Sequence, residues 1–424
     1  MMQVADIKTA LKDDTIFNAI NKEFLSLDLD DVKNNNQDLQ KIFKKLIEAM
    51  KRESPLFNET FQRIMWAGSY YKKTRVEKPN EYDINFVINL PIKTKFMSDC
   101  PGYIKIKRTD DLPNVSKASN NKEMKSFIDD DSYLNQEKIR TWMESILSKV
   151  ARTTSGNDQY IKLDRYPQIT KKKSGPAFTL NVRFSNGDFV DIDLVPVLVY
   201  PIHNPPPKCS GKFSHSYINL QGSNNKSQDN NKCWSAVPKP LNNNKGKFPD
   251  ARHRYWRLCF YDYEKDILSK YGRAKPVIRH LKKLRDTEDC MKNIASYYIE
   301  TLCLHELQIF EGSNKVSSTF LFFTMLEKFH EAFQKRCIKH YWEDFNLLEN
   351  MGLDEMIIIE NRLNKIIKEI KKSIKDDKFA IARFVLKKDE LEKLKRVIND
   401  HATAESNPKE IQTESSNESR CIII

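Results

Sequence analysis

Apolar positions recur at helical spacing between Asp38 and Arg52, where Leu39, Ile42, Phe43, Leu46, Ile47 and Met50 share one side and Lys41, Lys44, Lys45 and Arg52 line another. The spacing predicts an amphipathic helix with a basic stripe, which is also what a solvated face on a core-packing helix looks like. From Ile64 to Leu90 the period changes. A short apolar segment, a glycine turn and a second apolar run (INFVINL) predict two strands joined by a polar excursion. Ala177 to Phe184 and Phe189 to Val197 predict another pair, separated by the turn Ser185-Asn186-Gly187-Asp188. Pro205 to Asp250 is rich in Asn, Lys, Pro, Ser and Gly and reads as a partly disordered surface insertion. From Trp256 onward the pattern turns helical, through Lys275 to Arg285, Ser296 to Phe310, a Phe- and Leu-rich stretch near Phe320, and Ile357 to Lys375. After Ala402 the composition falls to Ser, Glu, Asn and Thr, too polar to fold.

The 424 residues suffice for two or three lobes with a large core. Lys and Arg exceed Asp and Glu by 71 to 58, a net charge of +13 that attracts polyanions without specifying one. The N-terminus lacks the basic-then-apolar pattern of a secretory signal, and no apolar run approaches the ~18 residues of a spanning helix. Eight cysteines without CxxC spacing are expected to be free thiols in a reducing cytoplasm.

The candidate chemistry lies on the strands. Gly68-Ser69 stands just ahead of a strand bearing Glu81 and Asp83, which point to one face because strand side chains alternate. Two carboxylates within reach repel, a cost that a divalent metal removes. Gly68 permits close backbone approach, and Ser69 offers a hydroxyl to a phosphate oxygen. Downstream, FVDIDLVPV places Asp191 and Asp193 on one face of a strand whose other face is Val190, Ile192 and Leu194. A third acid from there would let two metal ions be held for in-line displacement at an α-phosphorus.

In GSYYKKT, PNEYDINF and IDLVPVL the chain resembles cyclic GMP-AMP synthase and the animal cyclic GMP-AMP synthase-like receptors, and more distantly the oligoadenylate synthases, from about Ile64 to about Phe310. The resemblance implies a bilobal α+β nucleotidyltransferase fold, with a mixed-sheet catalytic lobe, a long N-terminal helix and a helix-rich C-terminal lobe. It makes Glu81, Asp83 and Asp193 the catalytic metal ligands, Asp193 rather than Asp191 by its D-x-x-P register. YWRLCFYDYEKDIL is similar to the family segment whose arginine and glutamate line the nucleotide pocket, here Arg257 and Glu264. Lys275 matches the family's phosphate-contacting lysine, Ser69 the serine of its Gly-Ser turn, and Ser296-Tyr297 its nucleotide-binding serine with a base-stacking tyrosine. The implied substrates are ATP and GTP, the cofactor Mg²⁺ or Mn²⁺, and the product a cyclic dinucleotide acting on a STING-type receptor in innate antiviral defence. Linear oligoadenylate synthesis, or a non-catalytic nucleic-acid-binding module of the same fold, are the alternatives.

Two departures modify the picture. Where vertebrate cyclic GMP-AMP synthase carries a zinc ribbon that contacts DNA, this chain has only SKYGRA, so no zinc is expected and double-stranded RNA becomes a better partner than DNA. Ala67 and Cys259 replace polar residues of the acceptor pocket, which leaves base choice and linkage open. In the family the long helix spans the back of the catalytic lobe, which makes Lys41, Lys44, Lys45 and Arg52 the candidate RNA contacts. The ending Cys421-Ile-Ile-Ile fits a CaaX box, and a single prenyl chain gives weak, reversible membrane association to an otherwise cytoplasmic protein. The expected organisation is a catalytic lobe over 1–255 with the insertion near 205–250, a helical lobe over 256–400 completing the nucleotide pocket, and a disordered tail over 401–424.

Overall fold

The computed structural model describes residues 3–26, 29–76, 81–109, 118–155, 160–163, 166–174, 177–183, 189–201, 204–209, 233–239, 241, 251–311 and 316–406. Among these, ten strands make one mixed sheet: β1 (Phe61–Trp66), β2 (Glu81–Ile88), β3 (Thr94–Met97), β4 (Tyr103–Arg108), β5 (Tyr160–Leu163), β6 (Tyr166–Ser174), β7 (Ala177–Arg183), β8 (Phe189–Pro201), β9 (Cys233–Val237) and β10 (Tyr255–Cys259). The main path runs β3-β4-β10-β9-β8-β7-β6-β5, with β2 pairing both β1 and β8. Two of these pairings position the site. β1 and β2 are antiparallel, while β2 and β8 are parallel with Asp83 opposite Asp193.

The basic helix is longer than its apolar period suggests, spanning Leu29–Glu53. The stretch from Asp30 to Gln37 is almost wholly polar and offers no periodicity to read. Beyond it Leu39, Ile42, Phe43, Leu46 and Met50 are fully buried. Phe43 meets Trp66 of β1 at 6.3 Å and Phe86 of β2 at 6.5 Å between ring centroids, which fixes the helix against the strands that carry the site.

Three features depart from the expected organisation. Cys233–Val237, inside the supposed surface insertion, is a wholly buried central strand paired with β8 and β10. Five apolar or small residues flanked by Asn and Lys are outweighed by their neighbours in any composition window. Residues 210–232 and 242–250 of that segment lie outside the described residues. Next, the sheet continues past residue 255. β10 pairs with β4, and the buried Trp256 donates its indole N–H to the Leu134 carbonyl at 3.2 Å. Finally, the first residues pack on the helical lobe. Phe17 stacks on His280 at 3.7 Å, and the Asp14 carboxylate accepts from the Ser318 and Thr319 N–H groups at 3.0 and 2.8 Å, capping the Ser318–Gln334 helix.

The second lobe is helical, with Tyr261–Lys270, Ala274–Thr287, Ser296–His305, Ser318–Gln334, Leu353–Ser373 and Lys388–Ser406 as its longer helices. The last runs beyond Ala402, where the sequence suggests a tail; residues 407–424, with Cys421, lie outside the described residues. One apolar core runs through both lobes, from Phe86 and Leu194 to Ile278 and Phe322. No described helix is long and apolar enough to cross a membrane.

Candidate active site

Glu81 and Asp83 alternate along β2 onto one face, and the parallel partner β8 brings Asp193 level with Asp83. One carboxylate oxygen from each of the three lies within 4.8 Å of the others, a spacing suited to a shared divalent cation. The cluster costs energy without one. Burial, then the Glu81 and Asp193 charges, push the Asp83 carboxyl up to about 6. Thr179 of β7 donates its hydroxyl to Asp193 Oδ1 at 2.6 Å and so fixes the third acid. Asp191 is exposed, takes a hydrogen bond from Asn181 at 2.7 Å, and stands outside the group.

Gly68 closes over these acids. Its φ is +67°, and a Cβ there would sit 1.8 Å from Asp83 Oδ2, so only glycine fits on both counts. The Ala67 N–H also donates to the Asp83 carbonyl at 2.9 Å. Gly68→Ala is therefore expected to displace the Asp83 carboxylate and to lower kcat by at least about 10²-fold, the loss typical of a misplaced catalytic group. Activity within a few-fold of wild type would show that the turn yields without disturbing the acid. Ser69 follows in the short Gly68–Tyr71 helix, and the hydroxyl of Tyr70 donates to Asn36 of the Leu29–Glu53 helix at 2.9 Å.

A cavity of about 340 Å³ opens beside Asp83 and Asp193, and Arg257, Glu264 and Tyr297 are among its lining residues. Glu264 is 3% exposed and already engaged. It pairs with Lys72 at 3.0 Å and accepts from the Tyr297 hydroxyl at 3.0 Å and the Trp342 indole at 3.1 Å. Lys275 and Ser296 do not line this cavity. Lys275 lies 3.4 Å from the Ser269 hydroxyl, and Ser296 accepts from Arg285 at 3.0 Å. Ala67 and Cys259 are part of the lining.

Sequence reasoning passed over the network behind the cavity. Lys72 also meets Glu300 at 2.5 Å, Lys282 meets Glu300 at 2.5 Å, and the Thr74 hydroxyl donates to Glu300 at 2.8 Å. Burial would pull the Lys72 amine down, but Glu264 and Glu300 hold it above the ordinary lysine range. The available signal was Glu300 itself, a lone acid in the apolar run YYIETLCL.

On the basic helix Lys41, Lys44 and Arg52 are exposed and Lys45 is half-buried. Lys41 pairs with Asp38 at 3.2 Å, and the exposed Glu48 interrupts the stripe.

The model of the Mab-21 protein nucleotidyltransferase domain matches residues 70–270, and that of the Mab-21 protein HhH/H2TH-like domain matches residues 273–365. The chain is 34% identical over 419 residues to a cyclic GMP-AMP synthase-like receptor of Microplitis demolitor, covering 97% of this chain and 74% of that protein. It is 32% identical to one from Trichogramma pretiosum, across 94% of this chain and 81% of the relative. With one from Tribolium castaneum it shares 30% identity across 97% of this chain and 100% of the relative.

Proposed function

The chain belongs to the Mab-21 family of nucleotidyltransferases, with the cyclic GMP-AMP synthase-like receptors as its relatives, and from that premise we propose that duplex RNA stimulates it to join ATP and GTP into a cyclic dinucleotide of the cyclic GMP-AMP type. The observation that supports this most is the grouping of Glu81, Asp83 and Asp193 beneath the Gly68 turn, at the edge of a cavity of nucleotide dimensions. Glu81, Asp83 and Asp193 would hold Mg²⁺ or Mn²⁺, which would supply charge neutralisation at the triphosphate and activation of the attacking hydroxyl.

The chain's own residues do the rest. Asp193, fixed by Thr179, orients the acceptor hydroxyl for in-line attack at the α-phosphorus of the donor, and the bond to pyrophosphate breaks as the phosphodiester forms. Ser69 and Lys275 grip the triphosphate, and Ser296 belongs to the same nucleotide-binding set. Tyr297 stacks on one base while Arg257 contacts the other nucleotide. Glu264 sets the orientation of Tyr297 through its phenol. A second round, after the linear intermediate turns over, closes the ring, and the product signals through a STING-type receptor. A prenyl group on Cys421 would hold the cytoplasmic enzyme loosely at a membrane.

RNA binding along Lys41, Lys44, Lys45 and Arg52 would act on the site through the Leu29–Glu53 helix. The Tyr70 to Asn36 hydrogen bond joins that helix to the segment carrying Gly68. Contacts of this type follow A-form shape and release counterions, so activation should weaken steeply with salt.

Chromatography of products from labelled ATP and GTP, with and without duplex RNA or DNA, tests the reading. One cyclic product carrying both labels is expected with RNA; a ladder of linear oligoadenylate, or no product, would refute it. In the same assay Asp193→Asn should be nearly inactive and Asp191→Asn should keep most activity, and the reverse order would move the third acid to Asp191. Lys44→Glu with Lys45→Glu should lower RNA activation at least about tenfold while sparing basal synthesis, as loss of phosphate contacts implies. A wild-type response to RNA from that variant would place the duplex elsewhere.

A further inference from the structure

Between the Ser318–Gln334 and Leu353–Ser373 helices the chain makes a loop, residues 337 to 347, that reaches the cavity beside the acids. Lys339 bridges Asn346, the His340 N–H donates to the Phe345 carbonyl at 2.8 Å, and the Asn346 side chain accepts from the Ile338 N–H at 2.9 Å. These bonds give the loop its shape before any ligand enters. Two of its side chains point at the nucleotide pocket: the Trp342 indole donates to Glu264, and the His340 ring meets Tyr297. His340 is buried, lines the cavity, and lies on the ring of Phe345, with centroids 4.5 Å apart and planes 18° apart.

The hydrogen bonds decide which imidazole nitrogen carries the proton. The Glu343 backbone N–H donates to His340 Nδ1 at 3.2 Å, and a nitrogen that accepts has no proton of its own, so the proton is on Nε2. Nε2 lies 3.1 Å from the Tyr297 hydroxyl oxygen and therefore donates to it. The hydroxyl donates in turn to Glu264 Oε1 at 3.0 Å. The direction is the same throughout: Glu343 N–H to His340, His340 to Tyr297, Tyr297 to Glu264. Conjugation keeps a phenol O–H close to the plane of its ring, so an acceptor and a donor fixed on the two sides of the oxygen set that plane. With its oxygen engaged in both directions, Tyr297 offers a base the face of its ring rather than its hydroxyl, and stacking depends on the plane of that face.

We propose that His340 is a positioning residue for nucleotide binding: by donating from Nε2 to the Tyr297 hydroxyl it holds the plane of the ring on which a base stacks. The assignment rests on the proposed role of Tyr297 as the stacking residue. His340 acts through that ring and not on the reacting phosphate. Its own orientation comes from the loop, and that of Glu264 from the Tyr261–Lys270 helix and the 3.0 Å ion pair with Lys72, so the stacking surface is set in advance and a nucleotide does not have to order it. Were His340 there only to fill space against Phe345, a phenylalanine would serve equally well.

Titration calorimetry of the full chain with α,β-methylene analogues of ATP and GTP, in the presence of Mg²⁺, tests the proposal. In His340→Phe, which keeps the stack on Phe345 and removes Nε2–H, affinity for the analogue that stacks on Tyr297 is expected to fall about threefold to tenfold, the worth of one neutral hydrogen bond. His340→Gln, whose side-chain N–H reaches the place of Nε2–H, should recover most of that loss. His340→Asn keeps an acceptor for the Glu343 N–H but stops short of Tyr297; it should bind as weakly as the Phe variant, and supplies the comparison if that variant fails to fold. Tyr297→Phe should show the fall by itself, and adding His340→Phe to it should cost nothing more, because the bond needs both partners. Wild-type affinity in both His340→Phe and His340→Asn overturns the assignment. So does a loss that Gln does not recover, or one that adds in full to that of Tyr297→Phe. A wild-type chain that binds neither analogue sinks the functional reading and this assignment together, whereas nucleotide binding indifferent to residue 340 sinks this assignment alone.

Discussion

Glu81→Ala/Asp83→Ala is expected to abolish synthesis, by more than about 10³-fold in kcat, while making the metal-free protein more stable at neutral pH. Both effects come from the same crowding of carboxylates. The Asp83 carboxyl sits at about 6 in the fold against 3.8 for an ordinary aspartate. Between those values the folded chain holds a proton that the unfolded chain has released. Stability of the metal-free protein therefore falls as pH rises from about 4 through about 6 and stays low above that range, by linkage. The full difference is of order 2–3 kcal/mol at neutral pH. Asp83→Asn, which removes the charge and keeps the shape, should match wild type in thermal midpoint near pH 4 and exceed it at pH 7.5, with EDTA present throughout. Added Mn²⁺ should raise the midpoint of wild type and leave that of the double variant unmoved. A double variant that keeps more than a small fraction of turnover, or still responds to Mn²⁺, would show that these acids are not the metal ligands.

Glu300→Ala is expected to cost about 3–5 kcal/mol, because it strands the buried Lys282 and takes one of two carboxylates from the buried Lys72. Lys72 and Lys282 are 4% and 3% exposed, and the Glu300 carboxylate lies between them at 2.5 Å from each. Burial would raise the Glu300 carboxyl, but Lys282 and then Lys72 overcome it and hold it far below the usual carboxylate range. Without that charge Lys72 keeps Glu264, while Lys282 keeps only the oxygens of Thr74. The thermal midpoint should fall by about 3–6 °C for a chain of this size, whose entropy of unfolding is about 2.1 cal/mol/K per residue. A Glu300→Met/Lys282→Met pair should recover part of the loss, since an apolar pair leaves a single lysine fewer without a partner. A fall of less than about 2 °C in Glu300→Ala would mean that water reaches the network and that it is not a buried junction. The junction matters for the site because Lys72 follows directly on the Gly68–Tyr71 helix, and Glu264 and Glu300 belong to the second lobe.

The elements that could be read from the sequence are those with a strong local signal. The strands on either side of Gly68 announce themselves by short apolar runs flanking a glycine turn, those around Asp193 by apolar segments either side of a Ser-Asn-Gly-Asp turn, and the helices from Ala274 to Ser373 by their period. Strand alternation placed Glu81 and Asp83 on one face. What brings Asp193 to them is the parallel register of β2 on β8, a non-local pairing that no local pattern encodes. Residues 190 to 194 alone left Asp191 and Asp193 equal; the register that sets Asp193 opposite Asp83, within reach of both acids of β2, distinguishes them. β9 was hidden by its surroundings, and the helical turns before Asp38 by their lack of apolar residues. Attachment of Phe17 to the helical lobe is a tertiary fact with no trace in its own segment. Lys275 and Ser296, aligned by family spacing, stand on the expected helices, yet in this structure their side chains bond Ser269 and Arg285 rather than the cavity beside the acids.

The parallel pairing of β2 with β8 also bears on how the protein is made and how its lineage can vary. Asp83 and Asp193 lie about 110 residues apart along the chain, so the acidic centre exists only after that long loop has closed. A nascent chain that has not yet emerged through β8 lacks the third acid of the centre, Asp193. Conversely, the cost of closing a loop grows only with the logarithm of its length, about 0.6 kcal/mol per doubling. Insertions or deletions in the exposed connections between the two strands would therefore change the surface of the enzyme while barely altering the distance between its acids. A scaffold of this kind is free to acquire new sensing surfaces without renegotiating its chemistry.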